Sequence, residues 1–410
     1  MRHFIYFLFL SVLLANCRTA NRPAQVSEQP VFETTATVFD PGTSYATTRI
    51  PALVMTTKGS LLAFCEARVN NSGDWADIDM IMRRSTDGGK TWEENVVIAA
   101  RETKRPTSNC TPIVDRDGKT IHVLYHRNYS NCYYVRSTDD GKTWSAPKEI
   151  TYAFDQFRPE YNWKVLAPGP GHAIQLQNGQ HKGRLVVPVW LCEPNPKIPG
   201  GDHRPSCVAT IYSDDFGQTW KRGAIVANTT PEIKNPSEHV AIETADGRVM
   251  LNIRTESAPH QRMIAYSPDG ATNWTKPVFD EELFDPVCMA SLIRVSSPGK
   301  GSKNRILFVN PDSQNDPEYL NKRNDFRKRQ NLTAKLSYDD GQSWPVQKVI
   351  DAGKAGYSDL AVGPDGMMYC LYETNEGSTE TWRYRIVLKR FNLAWLTDQK
   401  DQVNMVSSTR

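Results

Sequence analysis

The spacing of the cysteines in this sequence indicates whether they could form a metal or redox site. The 410-residue chain has eight cysteines, and Cys17 lies near the N-terminus. No two of them form a Cys-x-x-Cys pair and none has a histidine at the spacing of a metal ligand, so the sequence predicts no metal site. Cys192 and Cys207 flank a loop rich in proline and glycine, and they would either form a disulfide in an oxidising compartment or stay buried free thiols. The remaining cysteines are Cys65, Cys110, Cys132, Cys288 and Cys370.

The first residues of the chain are typical of an export signal. A basic start precedes an apolar run over residues 4–14, which has the length of a signal-peptide core and is too short to span a membrane. The run ends in Leu-Ala-Asn-Cys17, which is similar to the bacterial lipobox, where the cysteine becomes lipidated. We therefore expect a signal peptide over 1–16, and a lipid anchor and tether over 17–31. The alternative is an ordinary cleaved signal, and both predict export; with the anchor, the protein is an outer-membrane lipoprotein facing the periplasm or the cell surface.

Composition and charge place the rest of the chain among globular proteins. The chain is 39% hydrophobic and 10% aromatic, which is enough for one large core. Its formal net charge of +3 gives no electrostatic reason to bind nucleic acid or a membrane surface, so we expect membrane contact only through Cys17.

The elements that must position any site are short strands. Runs rich in valine, isoleucine, leucine and aromatic residues alternate with clusters of glycine, aspartate, asparagine and proline, and no segment shows a long helical period. The clearest predicted strands are 121–125, 184–189, 249–253 and 305–309. The sequence therefore predicts an all-β fold.

An eight-residue pattern recurs along the chain. Four copies match Ser-x-Asp-x-Gly-x-Thr/Ser-Trp and begin at Ser85, Ser137, Ser213 and Ser337, while a fifth begins at Ser267 and has Ala271 in place of the glycine. The octet suits a β-hairpin, because the aspartate can accept hydrogen bonds from the turn, glycine can adopt a positive φ, and tryptophan can pack under the next strand. The spacing fits four-stranded blades of about 45 residues plus loops, with room for about six. We therefore predict a six-bladed β-propeller, in which residues distant in sequence meet at a central funnel.

The octet is the Asp box, and with the segment Tyr-Ala-Thr-Thr-Arg-Ile-Pro at residues 45–51 the chain resembles the sialidase (neuraminidase) family of bacterial glycoside hydrolases. The Arg-Ile-Pro motif is the more specific sign, since Asp boxes also occur in other propellers. The resemblance implies a catalytic propeller over 32–397, followed by a C-terminal tail over 398–410. It also implies an exo-sialidase that removes terminal α-linked sialic acid from glycoproteins, glycolipids and oligosaccharides.

Sialic acid carries a carboxylate on its anomeric carbon, so the resemblance implies a cationic site. Arginine suits such an anion, because its guanidinium stays charged and can donate two parallel hydrogen bonds. By resemblance the three arginines are Arg49, Arg254 and Arg329, with Arg327 as the rival of the last. Converging arginines repel one another unless buried carboxylates compensate their charge. By resemblance, Glu373 matches the glutamate that braces the first arginine.

The resemblance also implies a tyrosine nucleophile, because a neutral phenol avoids repulsion by the substrate carboxylate; sialidases are a known exception to the two-carboxylate mechanism of glycosidases. Tyr357 in Ala-Gly-Tyr-Ser-Asp-Leu matches this residue. Glu238 matches the glutamate that takes its proton, with Glu243 as the alternative. Ser237 stands where the family usually has asparagine, so the sequence departs from the pattern beside Glu238.

The remaining family positions belong to the general acid and its surroundings. Asp74 matches the acid, on a loop between two strands, with Asp77 and Asp79 as rivals better suited to turn geometry. Arg68 matches an arginine that contacts the carboxylate region. The implied reaction proceeds with retention through a tyrosyl-enzyme intermediate and needs no cofactor.

Three other functions remain open at this stage. A trans-sialidase would share these residues but pass the sugar to an acceptor other than water. A non-catalytic sialic-acid-binding surface propeller would keep the arginines and lose Tyr357, Glu238 or Asp74, all of which are present. Hydrolysis of a related keto-sugar acid would keep the arginines and change the pocket for the N-acyl group.

Overall fold

The computed structural model describes residues 28–102, 105–116, 119–197, 201–299, 302–315 and 328–402. The predicted signal peptide, Cys17 and most of the tether lie outside these residues, as do Arg327 and the end of the predicted tail.

The described residues form six antiparallel sheets arranged as the blades of a propeller, which confirms the predicted all-β, six-bladed fold. Blade one holds β2 to β5, at Thr47–Met55, Leu61–Arg68, Ile78–Ser85 and Val96–Ala99. Blade two holds β6 to β9, at Thr107–Val114, Ile121–Arg127, Asn131–Ser137 and Lys148–Glu149. Blade three holds β10 to β14, at Val165–Pro168, Ile174–Gln175, Leu185–Cys192, Ser206–Ser213 and Lys221–Asn228.

The second half of the chain repeats this arrangement. Blade four holds β15 to β18, at His239–Glu243, Val249–Ile253, Gln261–Ser267 and Val278–Phe284. Blade five holds β19 to β22, at Ser291–Ser296, Arg305–Pro311, Gln330–Ser337 and Val346–Lys354. Blade six holds β23 to β25, at Ser358–Val362, Met368–Thr374 and Arg385–Phe391, and is completed by the N-terminal strand β1, Phe32–Phe39.

Strand β1 closes the ring by pairing antiparallel with β25, so that Phe32 lies opposite Phe391 and Phe39 opposite Ile386. Asn392 strengthens this junction, because its side-chain oxygen accepts a hydrogen bond from the backbone N–H of Val31 at 2.9 Å. Both ends of the domain are therefore held in one blade, and the sheet edges that would otherwise be open are paired.

Helix is scarce in the described residues. Two four-residue helices, Tyr152–Asp155 and Leu393–Leu396, and a 3₁₀ turn at Gly201–His203 connect or follow strands. Across the described ranges, none of the helices has the length and apolar character needed to cross a membrane.

The octets form hairpin turns, as predicted, and each joins the last two strands of its blade in blades one to five. In the four regular copies the glycine has φ between +79° and +84°, and its N–H donates to the serine hydroxyl at 2.8–3.0 Å. In the first copy Asp87 accepts hydrogen bonds from the N–H of Thr91 at 3.0 Å and from its hydroxyl at 2.6 Å. The fifth copy differs: Ser267 binds the N–H of Gly270 instead, and Ala271 lies outside the positive-φ region.

A buried carboxylate ties several blades together on the propeller axis. Asp359 of β23 accepts hydrogen bonds from the N–H of Leu53 and the N–H of His172, both at 2.9 Å, and from the hydroxyl of Ser291 at 2.8 Å. The Nδ1 atom of His172 lies 2.7 Å from the same carboxylate. These contacts join blades one, three, five and six, so the inner strands are fixed relative to one another.

The apolar core lies between neighbouring blades, where the buried faces of adjacent sheets interdigitate. The seven described cysteines are all buried free thiols, so of the two readings left open for Cys192 and Cys207 the structure has the free thiols. Among the described side chains no group of three His, Cys, Asp or Glu residues is placed to hold a metal ion.

Candidate functional site

A cavity of about 340 Å³ opens at the end of the propeller opposite the octet turns. Strands alternate in direction, so this end collects the start of each first strand, the end of each second strand and the start of each third strand. The cavity is lined by Asp74, Glu238, Arg254 and Tyr357, among others. Four residues predicted from separate sequence motifs therefore share one wall.

Tyr357 lies directly before β23 and is only 5% exposed. Its hydroxyl donates a short hydrogen bond to a carboxylate oxygen of Glu238 and accepts one from Nη1 of Arg254 at 2.7 Å. Burial raises the pKa of this phenol above its ordinary value, although the positive charges of Arg254 and Arg329 act in the opposite direction. The phenol is thus neutral at physiological pH, and Glu238 is positioned to take its proton.

The three predicted arginines converge on the Tyr357 ring. The guanidinium carbon of Arg49 lies 5.6 Å from the ring centre, and that of Arg329 lies 5.1 Å from it. Arg254, at the end of β16, reaches the hydroxyl and also pairs with Glu238. Arginines from blades one, four and five therefore surround one phenol.

Glu373 of β24 braces Arg49, as the family resemblance predicts. Its carboxylate accepts from Nε of Arg49 at 3.1 Å and from Nη2 at 3.0 Å. The same fully buried carboxylate accepts from the backbone N–H groups of Ile50 at 2.6 Å and Tyr357 at 3.2 Å. Ile50 has φ of +55°, which is rare for a β-branched residue and costs free energy. Glu373 stabilises this strained backbone and fixes Arg49 relative to Tyr357.

A second buried carboxylate, Asp285, holds the segments that carry the other two arginines. It accepts from the N–H of Thr255, which follows Arg254, at 2.8 Å, and from the N–H of Val287 at 2.9 Å. The carbonyl of Val287 accepts from Nη2 of Arg329 at 2.6 Å. Val287 is also β-branched with φ of +55°. No local motif pointed to Asp285, because its role depends on contacts between distant segments.

Arg68 and Asp74 form an ion pair at one side of the cavity, with 3.0 Å between Nη2 and Oδ1. Arg68 is buried and is also held by Glu66, whose Oε2 lies 2.7 Å from Nη2, and by the carbonyl of Ser72. Glu66 was missed in the sequence, although its position two residues before Arg68 places both on one face of β3.

The charge state of Asp74 follows from these neighbours. Burial favours the neutral acid, but the positive charges of Arg68, Arg49 and His203 outweigh it, so the pKa of Asp74 lies below its ordinary value. With these neighbours Asp74 is therefore a carboxylate at neutral pH.

The rival residues lie elsewhere or have other partners. Glu243 accepts from the backbone N–H groups of Gln177 at 2.8 Å and Asn178 at 2.9 Å, and lines a different cavity at the far end of the axis. Asp79 accepts from the hydroxyl of Tyr45 at 3.2 Å and from Nη1 of Arg101 at 2.7 Å. The backbone carbonyl of Asp77 closes the loop by accepting from Val69 N–H.

Aromatic side chains form the wall beside Asp74, and the sequence reasoning did not find them. Trp75 packs against Tyr129, with ring centres 4.8 Å apart, and stacks on His203 at 5.9 Å. Trp190 meets the His203 ring edge-on at 5.5 Å. The sequence shows that a tryptophan follows Asp74. The rings that pack against it come from blades two and three, so no local pattern predicts this aromatic wall.

Comparison with known families identifies the domain. Residues 59–370 match the model of the BNR repeat-like domain. The chain is 31% identical to a sialidase of Micromonospora viridifaciens over 92% of its own length and 56% of that protein's. It is 30% identical to sialidase-2 of Cricetulus griseus over 80% of its own length and 89% of that protein's. A sialidase of Bacteroides fragilis is 30% identical over 80% of this chain and 60% of that protein. The chain thus spans a little over half the length of the two bacterial relatives.

Solved structures also superimpose on this chain over most of its length. A Hadza microbial sialidase superimposes with a TM-score of 0.69 and 27% identity, covering 86% of this chain and 67% of the other. The intramolecular trans-sialidase of Ruminococcus gnavus has the same TM-score with 19% identity, covering 88% of this chain and 97% of the other, which is evidence for a shared fold.

Proposed function

This chain belongs to the sialidase family of BNR-repeat propellers, and from that premise we propose that it is an exo-α-sialidase that hydrolyses terminal α-linked sialic acids with retention. The observation that carries the proposal is the convergence of Arg49, Arg254 and Arg329 on the hydrogen-bonded pair of Tyr357 and Glu238. The substrates are sialylated glycans.

The arginines recognise the carboxylate that sialic acid bears at its reacting carbon. Each guanidinium has an acid or carbonyl partner behind it, which leaves further N–H groups for a substrate anion. Because the three surround the Tyr357 ring, an anion bound by all of them presents its adjacent anomeric carbon to the phenol oxygen.

Tyr357 is the nucleophile in this mechanism. Glu238 accepts the phenol proton as the tyrosine oxygen forms a bond to the anomeric carbon, while the bond from that carbon to the leaving oxygen breaks. Arg254 donates to the same phenol oxygen and stabilises negative charge that develops on it. A neutral phenol in the resting cavity avoids charge repulsion with the incoming carboxylate.

Asp74 gives a proton to the leaving oxygen and then takes one from water. That water attacks the anomeric carbon, the bond to Tyr357 breaks, and the tyrosine oxygen recovers its proton from Glu238. Asp74 must be protonated for the first step, yet Arg68 and Arg49 outweigh the effect of burial and lower its pKa. A bound carboxylate neutralises part of that positive charge, and so raises the pKa of Asp74 when substrate is present.

The direct test is hydrolysis of a fluorogenic α-sialoside, with proton NMR to identify the first anomer released. We expect turnover, release of the α-anomer, and an alkaline limb at higher pH in kcat than in kcat/KM. Release of the β-anomer would refute retention, and absence of turnover with intact binding would favour a binding propeller. Transfer to added lactose in preference to water would identify a trans-sialidase.

The export proposal is tested separately. We propose that the protein is exported to the outer membrane and anchored by lipidation at Cys17, on the strength of the apolar run and the lipobox-like sequence. Metabolic labelling with palmitate should mark the wild type and not Cys17→Ala. Labelling of both proteins would contradict the anchor.

A further inference from the structure

Trp75 is one of the few large apolar side chains in the described residues that remain exposed. Its relative exposure is 45%, and it lies on the cavity wall next in sequence to Asp74. An exposed tryptophan at a polar cavity loses the free energy of burial unless something covers it.

One face of the ring is already fixed by the protein. Tyr129 packs against it at 4.8 Å and His203 stacks on it at 5.9 Å, while Trp190 supports His203 from behind. Tyr129 and Trp190 are themselves buried, at 4% and 5% exposure. Trp75 therefore presents its other face in a fixed orientation. Because the packing already restricts the side chain, little further conformational entropy is lost when a ligand binds.

The position of Asp74 defines which part of a substrate lies there. Adjacent Cα atoms are about 3.8 Å apart, and an acid must lie within hydrogen-bond reach of the oxygen that it protonates. Because Asp74 and Trp75 line the same cavity, the leaving sugar occupies the part of the cavity that Trp75 borders. Sugar rings have apolar C–H faces, and a flat aromatic face is their natural contact surface.

Polar groups on the same cavity wall suit the hydroxyls of such a ring. Arg204 and Glu256 form an ion pair with 3.0 Å between Nε and each carboxylate oxygen, and Asn235 donates to Glu256 at 3.3 Å. All three line the cavity together with Trp75. An apolar face with fixed polar groups near it is the composition of a sugar subsite.

We propose that Trp75 is the stacking platform for the first sugar of the leaving glycan, so that it determines specificity beyond the sialic acid. This inference rests on the proposed sialidase function. It assigns Trp75 to the leaving group and not to the sialic acid ring, which the arginines hold.

The test compares ligands with and without a leaving sugar. For Trp75→Ala we expect kcat/KM for 3′-sialyllactose to fall about tenfold, mainly through KM, while Trp75→Phe stays within about threefold of the wild type. Inhibition by 2,3-dehydro-2-deoxy sialic acid, which has no leaving group, should be unchanged in both variants. Phe216→Ala removes a ring of 47% exposure from an octet turn and serves as the matched control.

Binding without turnover separates this inference from the proposed function. In a Tyr357→Phe background, calorimetry should show that Trp75→Ala weakens 3′-sialyllactose and leaves free sialic acid unaffected. If the wild type hydrolyses no sialoside, the proposed function fails, and this selective loss still decides whether Trp75 binds the second sugar. Equal losses for both ligands, or no loss for either, would overturn the inference; equal losses would place Trp75 at the sialic acid itself or make it only a support for Asp74.

Discussion

At the octet end of the propeller, the positive-φ positions of the turns are filled mostly by glycine and aspartate, whereas at the cavity end Ile50 and Val287 adopt φ of +55°. Glycine and, to a lesser degree, aspartate tolerate this region, while a β-branched residue there costs about 1–3 kcal/mol. The strained residues of the cavity end persist because Glu373 and Asp285, two buried carboxylates, accept hydrogen bonds from their N–H groups. The octet turns are thus stabilised by hydrogen bonds within each turn. The cavity end is stabilised by hydrogen bonds between segments that are distant in sequence.

The largest effect is expected at Tyr357, the central residue of the cavity. We expect Tyr357→Phe to lower kcat/KM for a fluorogenic sialoside at least about a thousandfold, because the nucleophilic oxygen is removed. Tyr125→Phe is a suitable control, since Tyr125 is also buried and its hydroxyl is without a hydrogen-bond partner among the described residues. Steady-state kinetics measures both variants. Undiminished turnover by Tyr357→Phe would refute the assigned role.

One aspartate from each end tests the comparison directly. Asp285→Asn should lower kcat/KM per folded molecule about 10- to 100-fold, with a raised KM. The amide keeps only one acceptor oxygen, so the N–H of Thr255 or that of Val287 loses its partner, and the arginine held by that segment is no longer fixed.

Asp87→Asn, in the first octet, should instead cost about 1 kcal/mol of stability and leave kcat/KM per folded molecule unchanged. Circular dichroism gives the folded fraction, and kinetics gives the activity. If Asp87→Asn impaired activity as much as Asp285→Asn, the octet end and the cavity end would not have separate roles in stability and activity.

The buried contact between His172 and Asp359 should make stability depend on pH. Burial favours the neutral His172 ring, but Asp359 outweighs it and raises the pKa of His172. A raised folded-state pKa gives stability that is fully present below the unfolded value of about 6.5 and is lost as pH rises through the folded value.

We therefore expect the Tm of the wild type to fall by about one to a few degrees from pH 6.5 upward, and His172→Gln to lack this slope. Calorimetry over this range measures the effect. A wild-type Tm that rises across the same range would contradict the sign.

The smallest effect concerns the irregular fifth octet. Restoring the glycine by Ala271→Gly should not stabilise the protein, because Ala271 lies outside the positive-φ region in a turn built around Gly270. We expect a loss of roughly 0.5–1 kcal/mol from the added freedom of the unfolded chain, measured by urea unfolding. A gain in stability would mean that this turn can convert to the form of the other four.

The difference between the octet end and the cavity end also explains which features could be predicted from the sequence. The octets and the strand runs are local, so the blades, their number and the turn glycines were predictable. Tyr357, Glu238 and the three arginines were found because each lies in its own motif, and the structure brings them together. Their catalytic roles remain predictions. Asp285 escaped notice because no motif surrounds it, and Trp75 because its partners come from blades two and three.

The pairing of β1 with β25 has a consequence for how the protein is made. Phe32 cannot meet Phe391 until nearly the whole domain has left the ribosome. Blades one to five contain neither of these strands and can form without them, but the sixth, which carries Tyr357 and Glu373, lacks its outer strand until β1 pairs with β25. The blade that carries these cavity residues is therefore complete only when the two ends of the domain have met.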